Sequence, residues 1–244
     1  MIVAASPLSS KPIPGDERLI LALDLPSPEA AWRMVRLLGP RVQYYKLGLE
    51  LFMAGGYFEL MAALREIGKR VFVDLKFFDV PRTVSSAVRQ LARHGAELAT
   101  VHGNDAMLEA ACAAKGDLRI LAVTVLTSLD AADMKALGFQ TDIHSLVLSR
   151  ARRALAIGCD GVISSGLEAS SLRRELGDRL LIVVPGIRPA SNPPVDDQKR
   201  TMDVEEAFLA GADHIVVGRP IHGAADPCAA AEAIQDRIAA LFGA

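Results

Sequence analysis

Arg70-Val71-Phe72-Val73-Asp74-Leu75 is apolar through its middle and turns charged at its end, running on into Lys76-Phe77-Phe78-Asp79. A strand with one face in water would alternate apolar and polar residues. A continuous apolar run instead predicts a strand of a parallel sheet covered on both faces. Seven further runs of this kind lie along the chain, at 19–24, 42–47, 96–101, 119–125, 160–164, 180–184 and 213–217. The stretches between them are long enough for a helix and two loops, and they carry helix punctuation. Ser27 and Pro28 supply an N-cap and a proline at the first helical position, and Gly39-Pro40 stops that helix. Gly68, Gly95 and Gly211 stand where helices should end before the third, fourth and eighth strands. The widest gap, between the fifth and sixth strands, leaves room for an extra short helix over 128–138. Eight strand–helix units predict an α/β protein built as a single (β/α)8 TIM barrel. A doubly wound sheet is the alternative, but it has no preference for eight units and its dinucleotide fingerprint is absent.

Composition narrows the function classes. The chain has 244 residues, 51% hydrophobic and 23% charged, with a net charge of −2, which excludes a disordered chain. Its 27 basic residues face 29 acidic ones, so no nucleic-acid partner held by bulk charge is expected. Cys112, Cys159 and Cys228 are odd in number, widely spaced and without C-x-x-C spacing. They predict small buried hydrophobes in a reducing compartment rather than a disulfide framework or a zinc site. No apolar run reaches the roughly 18–20 residues that span a bilayer, and the first residues lack the basic start of a signal peptide. Pro7, Pro12, Pro14 and Gly15 predict a flexible tail over 1–17 ahead of a barrel domain at 18–244. The expectation is a cytoplasmic protein with neither membrane nor nucleic acid as partner.

The informative charges fall at the carboxyl ends of the predicted strands, which a barrel gathers on one face. Asp24 ends the first strand, Lys46 the second, and Asp74 and Lys76 the third, with Asp79 just beyond. Side chains alternate along a strand, so Asp74 and Lys76 should share one side and Leu75 the other. Burying such charges is costly unless they pair, which makes an alternating acid–amine array the natural arrangement. An ammonium flanked by carboxylates stays protonated at neutral pH and is a poised proton donor. His102 ends the fourth strand as a candidate supporting group, and the fifth runs into Thr127. Gly218-Arg219 follows the eighth strand, where barrels commonly bind phosphate. The long connection after the seventh strand holds Arg188, Gln198, Lys199 and Arg200, all suited to an anion. The remaining histidines fit no ligand spacing, so no metal site is expected.

The run Asp74-Leu75-Lys76-Phe77-Phe78-Asp79-Val80-Pro81-Arg82-Thr83 resembles the D-x-K-x-x-D-[IV]-P-x-T signature of the orotidine 5′-phosphate decarboxylases. Leu23-Asp24, Tyr45-Lys46-Leu47-Gly48, the segment 123–128, Pro185-Gly186-Ile187-Arg188-Pro189, Asp197-Gln198 and 217–221 resemble further parts of that family in the same order. The resemblance implies decarboxylation of orotidine 5′-monophosphate to UMP without a cofactor, as the last step of de novo pyrimidine nucleotide synthesis. It implies that Lys76 stabilises and protonates a carbanion, that Asp74 opposes the leaving carboxylate, and that Asp24 and Lys46 hold the ribose and extend the charge network. Thr127 would meet the pyrimidine, while Arg188, Gln198, the Gly218 amide and Arg219 would grip the phosphate. Asp79 and Thr83 would reach into the neighbouring subunit of a homodimer. The segment Gly103-Asn104-Asp105 departs from the glycine pair of many relatives and leaves its local backbone open. Two other readings compete. One is a magnesium-dependent sugar-phosphate decarboxylase or aldolase of the same superfamily, disfavoured by Lys46 where those enzymes place a glutamate. The other is a non-catalytic phosphate-binding scaffold, which the acid–lysine array fits poorly.

Overall fold

The computed structural model describes residues 8–189 and 200–243. Eight strands close into a barrel in sequence order, every neighbouring pair parallel. They are β1 Leu19–Ala22, β2 Tyr44–Gly48, β3 Arg70–Phe77, β4 Leu98–His102, β5 Arg119–Val123, β6 Gly161–Ile163, β7 Leu181–Val184 and β8 His214–Val217. Each of the eight sequence runs becomes one of them. Helices fill the connections: α1 Pro28–Leu38, α2 Leu49–Ala54, α3 Tyr57–Glu66, α4 Pro81–Arg93, α5 Asp105–Ala114, α6 Ala131–Ala136, α7 Ile143–Ile157, α8 Gly166–Leu176, α9 Val204–Leu209, α10 Arg219–His222 and α11 Pro227–Phe242. The extra short helix expected in the widest gap is α6.

The punctuation acts as its chemistry requires. The Ser27 side chain accepts the Ala30 N–H at 3.2 Å and Pro28 opens α1. Gly68, Gly95 and Gly211 adopt φ of +75°, +74° and +102°, which lets each helix turn directly into its strand.

The strand pleat divides the apolar residues into two layers. Leu19, Leu21, Val71 and Val73 face outward under the helices, while Ile20, Ala22, Tyr44, Phe72, Leu98, Leu121 and Val183 fill the barrel interior. A Cβ on Gly161 would lie 2.7 Å from Leu121 and from both the side chain and carbonyl of Leu181, so the interior there is filled to the backbone.

The amino-terminal end of the barrel corrects the expectation of a flexible tail over 1–17, within the described residues from 8 onward. The Asp213 carboxylate is fully buried and needs donors. The Ser9 hydroxyl donates to it, Lys11 Nζ lies 3.1 Å away, Arg173 Nη2 2.9 Å away, and the Ile182 N–H donates at 2.8 Å. Ile13 packs against the interior cluster and Gly15–Glu17 forms a 3-10 turn leading into β1. A buried charge thus straps the segment across the barrel floor.

His214 sits on the same floor. Its Nδ1 lies 3.0 Å from the Glu17 carbonyl and its ring meets Tyr44 edge-on at 5.8 Å. Burial outweighs the Glu17 carbonyl and nearby Asp213 and pushes its pKa down to about 4. The unfolded chain therefore binds the proton first as pH falls. Stability is fully present above the unfolded value of about 6.5 and declines between there and about 4, by on the order of 3 kcal/mol. Urea denaturation of the wild type and His214→Gln at pH 7 and pH 4 should show the wild type losing more stability by about this amount. Parallel losses in the two proteins would remove His214 as the acid-sensitive group.

Candidate active site

The carboxyl ends of the strands surround a cavity of about 660 Å³. β1 to β3 deliver Asp24, Lys46, Asp74 and Lys76 to its wall, while the segments after β5, β7 and β8 deliver Thr127, Arg188, Gly218 and Arg219. The four charges form a chain. Lys46 Nζ lies 3.0 Å from Asp24 Oδ1 and 3.4 Å from Asp74 Oδ2, and Lys76 Nζ lies 3.0 Å from Asp74 Oδ1. Burial favours neutral forms, yet the two ammonium groups and the hydrogen bonds from Lys76 and Thr100 hold the Asp74 pKa below the usual carboxylate range. Lys46 is likewise penalised by burial, but Asp74 and Asp24 outweigh it and raise its pKa. Asp74 is thus a fixed negative charge and Lys46 a fixed positive one.

Asp74 and Lys76 do share one side of β3, though not through regular alternation. Val73 pairs with Ala99 and Phe77 with Val101 on β4, so Asp74, Leu75 and Lys76 stand opposite Thr100 alone. Lys76 takes φ of +48°, the only positive φ outside glycine among the described residues. Thr100 is fully buried beside this bulge. Its Oγ1 accepts the Lys76 N–H at 2.9 Å and donates to Asp74 Oδ1 at 2.9 Å. Sequence reasoning missed Thr100, whose one signal was a hydroxyl inside an apolar run. Glu50 and His222 also line the cavity without having been anticipated.

Gly48 closes β2 for a steric reason. A Cβ there would lie 2.8 Å from Asp24 Oδ1 and 3.1 Å from Lys46 Nζ, in the path of their ion pair.

Other expected residues are placed differently. Asp79 and Thr83 are exposed and absent from the wall of this chain's own cavity; Asp79 Oδ1 accepts the Val80 N–H. His102 is not among the residues of the cavity wall; its ring meets Phe78 edge-on at 5.4 Å. Arg200 does not line the cavity. Its Nη1 lies 2.7 Å from Glu168 Oε1 and its Nη2 reaches the Val125 and Leu126 carbonyls, tying the far end of the long β7 connection to the exit of β5. The near end is clamped as well, since the Arg188 N–H donates to the Met202 carbonyl at 2.9 Å. Gln198 and Lys199 lie outside the described residues. In the departing segment, Gly103 turns with φ of +114°, Asn104 caps α5 through the Met107 N–H at 3.3 Å, and Asp105 pairs with Arg153. None of the three lines the cavity.

Residues 17–234 match the family model described as Orotidine 5′-phosphate decarboxylase / HUMPS family. The chain belongs to this family. It is 60% identical over 237 residues to the orotidine 5′-phosphate decarboxylase of Methylococcus capsulatus, covering 97% of this chain and 98% of that one. The enzyme of that name from Xanthomonas euvesicatoria is 52% identical, over 94% and 95% of the two chains. Among solved structures, the orotidine 5′-phosphate decarboxylase of Lactobacillus acidophilus superposes with a TM-score of 0.80 at 35% identity, covering 91% of this chain and 99% of that one. The family match thus spans all eight strands and all four charges of the array.

Proposed function

We propose that this chain is a cofactor-independent decarboxylase that converts orotidine 5′-monophosphate to UMP and CO2, the last step of de novo pyrimidine nucleotide synthesis. The observation that carries the reading is the Asp24–Lys46–Asp74–Lys76 array in one cavity with Arg188, Gly218 and Arg219. The bond from pyrimidine carbon 6 to the carboxylate breaks, its electron pair stays on carbon 6, and CO2 leaves. The Lys76 ammonium stabilises the developing carbanion electrostatically and then donates its proton to carbon 6. Asp74 anchors Lys76 and faces the leaving carboxylate. Asp24 and Lys46 hold the ribose hydroxyls, and Thr127 bonds the pyrimidine. Arg219, Arg188, Gln198 and the Gly218 amide grip the phosphate, far from the reacting carbon, where binding energy can assemble the site.

The magnesium-dependent sugar-phosphate reading is less well supported. The two carboxylates nearest to hand for a divalent ion, Asp24 and Asp74, are already paired with two ammonium groups, Lys46 bridging both and Lys76 on Asp74, and Lys46 itself stands where those enzymes place a glutamate. The deciding experiment follows the ultraviolet absorbance of orotidine monophosphate with EDTA present. Consumption in EDTA is the expected result, whereas inhibition by EDTA would favour the metal lyase, and no change at high enzyme concentration would overturn the assignment.

The active unit is a homodimer in the cytoplasm, with Asp79 and Thr83 completing the partner's site. Phe78 and Val80, which flank Asp79, are 66% and 62% exposed, apolar surface that a second copy would cover. No helix among the described residues is long and apolar enough to cross a membrane. Mixing inactive Lys76→Ala with inactive Asp79→Ala subunits should restore turnover, up to about one quarter of wild type after random exchange, because each hybrid holds one intact site. A mixture that stays inactive after verified subunit exchange would exclude sharing.

A further inference from the structure

We propose that Thr100 is a positioning residue for decarboxylation, one hydroxyl setting both the backbone of Lys76 and the carboxylate of Asp74. The inference rests on the proposed role of Lys76 as proton donor.

The β3 bulge creates the need. The Arg70 N–H donates to the Gln43 carbonyl on the β2 side, whereas Val71 accepts the Glu97 N–H on the β4 side, so regular alternation would aim the Lys76 N–H at β2, which ends at Gly48. With three residues opposite one, the bulge turns that N–H toward β4 instead, where a partner outside the regular ladder must accept it. Thr100 Oγ1 takes it at 2.9 Å. The same oxygen sends its proton to Asp74 Oδ1, also at 2.9 Å. Asp74 Oδ1 in turn lies 3.0 Å from Lys76 Nζ.

These contacts form a closed ring. It leaves Lys76 at its backbone nitrogen, passes through Thr100 and Asp74, and returns to the ammonium of the same residue. The ammonium is therefore fixed relative to its own backbone, which is held at φ of +48°, a conformation L residues adopt only when their surroundings impose it. A side chain here must donate and accept at once, which a hydroxyl does and an alkyl group does not. The β-branched Cβ of threonine adds a restricted χ1, keeping the oxygen between its two partners. Thr100 contributes nothing to the cavity wall and so acts only through Lys76 and Asp74.

The test compares Thr100→Val, of nearly the same shape, with Thr100→Ser, which retains the hydroxyl. Thr100→Val should lower kcat by about 10²-fold, the scale of loss when a reacting group is misplaced by about an ångström. Its KM should stay within about threefold, because ribose and phosphate contacts are untouched. Thr100→Ser should recover kcat to within about tenfold of wild type despite losing the methyl group. A purely structural role would lower the melting temperature without this split between kcat and KM and without rescue by serine. If Thr100→Val does not fold, Thr100→Ala is measured in its place with the same expectation. Wild-type kcat in the hydroxyl-free variant, alongside an inactive Lys76→Ala, would overturn the role of Thr100 alone. Turnover persisting in Lys76→Ala would instead overturn the reading on which it rests.

Discussion

Lys76→Ala is expected to lower turnover at least about 10⁴-fold, the combined scale of a lost proton donor and a lost electrostatic stabiliser. The proposed reaction develops an electron pair on carbon 6 that the ring cannot delocalise well, and Lys76 is the cation that the β3 bulge turns into the cavity beside Asp74. Lys46 cannot replace it, because its ammonium is committed to Asp24 at 3.0 Å and to Asp74 at 3.4 Å. Binding of UMP should change by less than about tenfold, since phosphate and ribose contacts lie away from the reacting carbon. Absorbance assays at high enzyme concentration and calorimetric titration with UMP measure the two quantities. Near-normal turnover would remove Lys76 from the mechanism, and loss of UMP binding in step with turnover would make its role one of general site integrity.

Arg219→Ala should reduce kcat/KM by about 2–5 kcal/mol, or roughly thirty- to several-thousand-fold, as expected when one partner of a desolvated charge pair is removed. Arg219 opens α10 directly after Gly218 and lines the cavity at the end of β8. Its proposed phosphate contact is remote from carbon 6, so its energy reaches the chemical step only by holding substrate and site together. The expected signature is a fall in kcat/KM for the phosphorylated substrate, with far less effect on turnover of the unphosphorylated nucleoside. A loss below about tenfold would put Arg219 at a solvated edge with little part in binding.

Much of this architecture was readable because it rests on local rules. Ser27-Pro28 and the glycines before β3, β4 and β8 encode where helices start and stop, and the apolar runs encode which segments are buried on both faces. The four charges were readable for a related reason: a barrel places every strand's carboxyl end on one face, so Asp24, Lys46, Asp74 and Lys76 converge whatever the intervening loops contain. Thr100 was not readable in this way. Its importance comes from a mismatch in register between β3 and β4, a property of a pair of strands that neither strand's own periodicity reveals. Arg200 looked like an anion ligand because a basic residue in a long loop reads identically whether it faces a substrate or, as here, a buried glutamate. The segment from Leu8 to Pro14 looked like a tail because its prolines were visible, whereas the demand of the buried Asp213 more than two hundred residues away was not.

The bulge at Asp74–Lys76 also bears on transplanting this chemistry. The D-x-K-x-x-D spacing is portable as letters, and any parallel barrel offers a strand end to receive it. Grafted onto an unbulged strand, however, the lysine would revert to ordinary extended backbone, with its N–H aimed at the neighbour on the other side and out of reach of the threonine hydroxyl. The portable unit is therefore larger than the motif: two adjacent strands out of step, together with the threonine that fills the gap between them.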